Sequence, residues 1–154
     1  MRNKYKTRKG FRVETEDRRC FPDIETSRPE FALYPELSSS SSHTFMYMRN
    51  FDTRDYQIEI SLSAVTQNTL IVIPTGLGKT FIAAMLIINF YRWFPTGKII
   101  FMATSRPLVK QQMDSIKRLS VIPKKDIVEI TGGVVQTVRT SHWQNSKVFF
   151  ATPQ

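Results

Sequence analysis

The stretch "IVIPTGLGKTFIAAM", Ile71 to Met85, constrains the fold more than any other. A short β-branched run meets a proline, then a turn holding Gly76 and Gly78, then a lysine and a threonine that open a long apolar segment. A strand, a tight glycine turn and a buried helix in that order predict a parallel α/β sheet whose first crossover begins at Lys79. Such a turn also makes a phosphate cradle. Backbone N–H groups converge at a helix N-terminus where the helix dipole favours negative charge, a lysine reaches the phosphates, and a Ser or Thr hydroxyl can ligate Mg²⁺. The strict phosphate-loop pattern places a glycine where this chain has Ile73, so the strand–turn–helix context supports the reading more than the spelling does.

The rest of the chain after residue 50 continues the alternation. "TLIVI" (69–73), "KIIFMA" (98–103), "DIVEI" (126–130) and "KVFFAT" (147–152) are apolar runs of strand length. Lys79 to Trp93 is apolar almost all round and predicts a helix buried against the sheet. Arg106 to Leu119 carries Leu108, Val109, Met113, Ile116 and Leu119 on one face, with Ser105 placed to cap it and Pro107 in its first turn. The segment 54–65 stays open. Tyr56, Ile58, Ile60, Leu62 and Ala64 alternate as in a strand, while Thr53 could equally precede a helix burying Tyr56, Ile60 and Ala64.

Residues 1–44 differ in composition. Six of the first twelve residues are Lys or Arg with no acid, and "LSSSSSH" (37–43) is a serine tract with nothing to bury, so 1–44 is expected to be disordered or loosely packed. The basic start reads as a solvated tail or as a nuclear-targeting or nucleic-acid-touching one. With 22 Lys and Arg against 13 Asp and Glu, the chain carries +9, a charge suited to a polyanion or to a solvated basic surface. The single cysteine, Cys20, cannot form an internal disulfide and suits a reducing compartment. The longest apolar run, Phe81 to Ile88, falls short of the ~20 residues a spanning helix needs, so no membrane partner is expected. His43 and His142 are isolated and lack metal-ligand spacing, and Trp93 and Phe94 read as core rather than as a base-stacking platform.

Gln57 lies upstream in "RDYQ", where an amide could read an adenine edge through paired donor and acceptor bonds. "ATSRPLVKQQ" (103–112), "TGG" (131–133) and "TPQ" (152–154) each follow a predicted strand, and in an open α/β sheet the strand C-termini line the ligand crevice. Hydroxyls, amides and an arginine there could follow a phosphate chain. Taken together, "RDYQ", "PTGLGKTFIAAM" and "NFYRWFPTGKIIFMA" resemble the first RecA-like domain of superfamily 2 helicases, and more closely the Fanconi anaemia group M (Hef-like) DNA helicases and translocases, over about residues 45–154.

That resemblance implies a P-loop RecA-like sheet with helices on both faces, ATP and Mg²⁺ as cofactors, branched or junction DNA as partner, repair-complex proteins, and a nuclear role in DNA repair. It implies that Arg54, Gln57, Thr75, Gly76, Leu77, Gly78, Lys79 and Thr80 bind the nucleotide, with Lys79 and Thr80 catalytic and Thr80 on the Mg²⁺. It implies that Ser105, Arg106, Pro107, Thr131, Gly132, Thr152, Pro153 and Gln154 track nucleic acid, and that 54–65 is helical. Two departures stand out. Ala103-Thr104-Ser105 replaces the usual Ala-Pro-Thr, and "FMYMRNF" (45–51) matches the aromatic approach loosely, leaving an adenine-stacking role unassigned between Tyr47 and Phe51. No acidic word follows an apolar strand up to Gln154, so the Walker B carboxylate and the second RecA-like domain are missing, and these 154 residues alone are expected to be an inactive front end, a fragment or a truncated gene product.

Other readings make different demands. An RNA-directed superfamily 2 helicase would share Gln57 and the P-loop but would not predict "NFYRWFP". A small nucleotide kinase would need an arginine-rich lid, and only Arg92, Arg106 and Arg118 are scattered after the turn. A non-catalytic nucleotide- or nucleic-acid-binding fragment needs neither a lid nor an acid.

Overall fold

A parallel three-stranded sheet organises the C-terminal two thirds, and its middle strand explains the most apolar word of the sequence. In the computed structural model, which describes residues 4–6, 12–17, 35–48 and 51–153, β4 (Ile99–Met102), β5 (Ile127–Ile130) and β6 (Val148–Ala151) lie in the order β4-β6-β5. β6 pairs on both edges, Phe149 opposite Ile100 on one side and Val128 on the other. A strand flanked and covered in this way must be apolar on both faces, and Val148, Phe149 and Phe150 are all buried. Short crossovers through helices give the parallel order expected from the alternating sequence.

On one face, Ile99, Phe101, Ile127, Val148 and Phe150 join the main core with α2 (Lys79–Trp93) and α3 (Arg106–Leu119). α2 touches α1 (Asp55–Thr66), α3, β3 (Thr44–Met48) and β4, and that surrounding is why it is apolar nearly all round. α3 is amphipathic and buries Val109, Met113 and Ile116. The other face of the sheet carries α4 (Gln136–Asn145), whose Trp143 ring lies tilted against Phe149 with the centroids 4.9 Å apart. Between α4 and β4 an open cavity of about 440 Å³ exposes Ile100 and Met102. Tyr91 of α2 donates to Asp126 Oδ2 at 2.6 Å, tying the helix to the start of β5. Burial pushes the Tyr91 hydroxyl far above the usual phenol range, helped by the bond to Asp126 and its charge.

A second, antiparallel sheet, β1 (Lys4–Lys6), β2 (Arg12–Asp17) and β3, sits at the far end of α2. Among the described residues, only one edge of β3 has a strand beside it. On its other side Asn89, fully buried on α2, substitutes for a neighbour: Met46 N–H donates to Oδ1 at 2.7 Å and Nδ2 donates to Met46 O at 2.7 Å. The serine tract closes the last turn of α2. Ser38 N–H donates to Trp93 O at 2.7 Å, Ser41 Oγ donates to Arg92 O at 2.9 Å, and the indole of Trp93 donates to Ser41 O. A helix end leaves orphan carbonyls, and small hydroxyl-bearing residues can reach them. Trp93 itself is buried, in the core as expected. Most of the 1–44 segment expected to be loose lies outside the described residues.

The open segment resolves as a helix, α1. Its buried residues are Gln57, Ser61 and Val65, four apart, so two of the three inward positions are polar and the apolar alternation hid the helical period. The strand expected at 69–73 does not form. The segment keeps the alternation, with Ile71 and Ile73 leaning on the core and Leu70 and Val72 in solvent at 89% and 83% exposure, yet among the described residues no strand pairs with it. Apolar alternation gives an extended chain; a ladder needs a neighbour as well. Among the described residues no helix is long and apolar enough to cross a membrane.

Candidate functional site

Gly76 and Gly78 take φ of 85° and 86°, the left-handed region, and together they fold the chain back before α2 starts. Gly78 is the N-cap of α2. A Cβ there would run into the amide nitrogen of Gln57, whereas one at Gly76 would meet nothing within 4 Å. The turn therefore has two different demands for glycine, one of backbone alone and one of backbone and space.

Gln57 is what fills that space. It is 6% exposed, its Nε2 donates to Leu77 O at 3.2 Å, and its Oε1 accepts from Arg54 N–H at 3.1 Å. Tyr56 Oη donates to the same Leu77 carbonyl at 2.8 Å. The N-terminus of α1 is thus bolted to the glycine turn. A primary amide donates twice and accepts twice; one of each is used here, and one of each is left, the pair an adenine edge requires. Arg54, Gln57, Leu77 and Gly78 come together, and Thr75 and Gly76 lie exposed on the turn beside them. Sequence reading missed Tyr56 as a support for the loop, although it stands inside the "RDYQ" word.

Lys79 and Thr80 begin α2 beyond the turn. The Lys79 ammonium folds back onto the carbonyls of Ile73 at 2.6 Å and Pro74 at 3.0 Å, leaving one of its three donors for an anion. Thr80 Oγ1 donates to Gln112 Oε1 on α3 at 2.8 Å. The set suits a hard cation shared with phosphates, where the chain supplies one hydroxyl oxygen and phosphate and water supply the rest. It does not suit an all-protein cage. Among the described residues no group of three or more His, Cys, Asp and Glu could hold an ion.

The second group of expected residues lies along the C-terminal ends of the strands. Ala103 N–H donates to Ala151 O at 3.0 Å, and Met102 and Ile130 both stand opposite Ala151, so the chain leaves β4, β6 and β5 at one level. Arg106, first residue of α3, crosses to the loop after β5. Its Nη2 would lie 3.2 Å from a Cβ added at Gly132, and its Nη1 3.6 Å from one at Gly133. Gly132 and Gly133 are exposed, so the guanidinium reaches the surface over them, while Ser105, Pro107 and Pro153 are exposed nearby in the chain. Ser105 holds the N-cap position, but its hydroxyl makes no capping bond, a departure from the expected cap. Thr131 is 7% exposed; its hydroxyl lies 3.5 Å from Glu129 Oε1, and its carbonyl accepts from Arg139 Nη2 at 3.2 Å. Thr152 follows β6, half-buried, and Gln154 lies outside the described residues. Arg139 had no sequence signal, because α4 buries none of its residues and shows no apolar stripe.

Comparison with known proteins fits this geometry. The family described as "Type III restriction enzyme, res subunit" matches residues 50–154. The chain is 49% identical over 115 residues to "DEAD-box ATP-dependent DNA helicase Fancm" of Drosophila melanogaster, an alignment covering 75% of this chain and 8% of that protein. It is 44% identical over 124 residues to "ATP-dependent DNA helicase fml1" of Schizosaccharomyces pombe, covering 80% of this chain and 15% of that protein. Among solved structures, the helicase domain of Hef from Pyrococcus furiosus matches with a TM-score of 0.60 and 39% identity, over 66% of this chain and 21% of that one. The chain therefore spans a small part of the length of each of these relatives.

Proposed function

The chain belongs to the family described as Type III restriction enzyme, res subunit, and from that premise we propose that residues 45–154 are the ATP-binding front portion of an ATP-dependent DNA helicase or translocase of the Fanconi group M kind. The observation that carries this is the glycine turn. Gly76 and Gly78 at positive φ, the α2 N-terminus and Lys79 form an anion cradle, and Gln57 stands against that cradle with an unused donor and acceptor. A phosphate chain and an adenine are the two ends of one ligand, and the site offers chemistry for both. Relatives named as ATP-dependent DNA helicases support the same reading.

In this reading each residue has a bounded task. The backbone N–H groups of the turn and of the first turn of α2 bind phosphate oxygens. Lys79 supplies a charge-assisted bond to them, and Thr80 offers an oxygen to the Mg²⁺ that accompanies ATP; that ion, when bound, neutralises developing charge on the phosphates. Arg106 over Gly132 and Gly133 supplies a phosphate contact to DNA at the strand ends. Branched DNA as the substrate, repair proteins as partners and the nucleus as the site of action belong to the same proposal.

The test is titration of a fluorescent ATP analogue. Lys79→Ala removes a bond to a charged group worth about 1.5–3 kcal/mol, so its affinity should fall by about tenfold to a hundredfold. Equal affinity in the two proteins, with matching ligand-free melting, refutes the phosphate cradle.

A further inference from the structure

The hydroxyl of Thr80 is the oxygen this site offers a cation, and its proton is already committed. It donates to Gln112 Oε1 at 2.8 Å, across from α2 to α3. A threonine hydroxyl has one proton and two acceptor lone pairs. A free rotor can turn its proton toward the phosphate side, where it meets the cation's repulsion. A hydroxyl whose proton is held on the far side presents lone pairs there instead.

We propose that Gln112 is a positioning residue for the cation ligand: by accepting the Thr80 proton it fixes the Oγ1 lone pairs toward the phosphate cradle. This rests on the nucleotide reading above. Gln112 is well placed to hold a rotor still, because its helix is held by packing. Val109, Met113 and Ile116 of α3 are buried at 0%, 8% and 0% exposure, and they fix the rotation of α3 against α2 and the sheet. The amide is half-buried, so water competes with the bond only in part. Among the described residues, Thr80 is the hydrogen-bond partner of the Gln112 side chain. Partners that orient a metal ligand in this way, themselves out of the metal's reach, commonly change metal affinity by 10–100-fold.

The measurement is the affinity of the 154-residue chain for a fluorescent ATP analogue with Mg²⁺ and with excess EDTA, giving a Mg²⁺-dependent gain for each variant. Gln112→Met keeps the length and removes the acceptor; Gln112→Glu keeps an acceptor oxygen. Gln112→Met should leave the Mg²⁺-free affinity unchanged and cut the Mg²⁺-dependent gain by about tenfold, approaching Thr80→Ala, while Gln112→Glu retains the gain. Ligand-free thermal melting, together with the Mg²⁺-free affinity, verifies that each variant is folded. If Gln112→Met keeps the full Mg²⁺-dependent gain, or if Gln112→Glu loses it as Gln112→Met does, the inference is overturned. Failure of the wild-type chain to bind the analogue at all overturns the nucleotide reading instead, so the two failures are separable.

Discussion

Replacing Gly78 and Gly76 by alanine, one at a time, separates the two reasons for glycine in the turn. Both residues sit near φ 85°, so each alanine bears the left-handed penalty of about 1–2 kcal/mol. Only Gly78 has a second difficulty. Its new methyl would collide with the Gln57 amide, so either Gln57 gives up its bond to Leu77 O or the turn moves. Losing that bond costs about 1 kcal/mol, somewhat more if the buried amide is left without a partner. Gly78→Ala should therefore cost about 2–3 kcal/mol and Gly76→Ala about 1–2 kcal/mol. Urea unfolding followed by circular dichroism reads this directly. With a slope of about 2 kcal/mol/M, a domain of this size should show a midpoint roughly 0.5 M lower for Gly78→Ala than for Gly76→Ala. The pair Gln57→Ala with Gly78→Ala completes the test, because removing the amide removes the collision. In the Gln57→Ala background the two glycine substitutions should become equal. If Gly76→Ala is as damaging as Gly78→Ala in the wild-type background, the Gln57 side chain does not occupy the space over Gly78 and the account of the turn is wrong.

Two further predictions concern ligands. Gln57→Ala should weaken an ATP analogue by about tenfold while leaving GTP little changed, since two ordinary hydrogen bonds of 0.5–1.5 kcal/mol each are lost on the adenine edge alone; an unchanged ATP:GTP ratio, measured by competition, would reduce Gln57 to a brace for the turn. Arg106→Ala should weaken binding of a DNA oligonucleotide across sequences and reduce the log–log salt slope by roughly 0.7–0.9, the value for one phosphate contact; an unaltered slope in fluorescence anisotropy at several salt concentrations would remove Arg106 from the DNA edge.

What the sequence disclosed of the fold followed from how completely each element buries its apolar residues. α2 and α3 run over the expected residues because one is apolar all round and the other has a clean stripe at Val109, Met113 and Ile116. β6 was visible as an apolar run because it is buried on both faces, and β4 because Ile99 and Phe101 join the core while Ile100 and Met102, equally apolar, line the open cavity on the other face. α4 was invisible for the opposite reason: none of its own residues is buried, and "QTVRTSHWQN" has no period to read. β3 was hidden because half of its pairing comes from a side chain, Asn89, and no pattern within 44–48 announces a partner forty-three residues away. The apolar run 69–73 predicts a strand, but such a run reports burial on one side and is silent about ladder partners.

The site divides along the same line. Gly76, Gly78, Lys79 and Thr80 are consecutive or nearly so, and a short loop at a helix start fixes their geometry almost independently of the rest of the chain, so the motif could be read directly. Gln57 was found by its place in a word, yet its fit against Gly78 could not be read, since it depends on where α1 crosses the turn. Gln112 is the extreme case. The sequence places it beside Met113 on a helix with a visible apolar stripe, which says that it lies near the edge of the buried face and nothing about what it touches. Its contact with Thr80 is set by the rotation of α3, which Val109, Met113 and Ile116 fix by packing. The same helix begins at Arg106 over the loop after β5. A rotation of α3 about its axis would therefore move the arginine at the strand ends and the acceptor of the Thr80 proton together. Any coupling it carries between nucleic acid and nucleotide must be reciprocal.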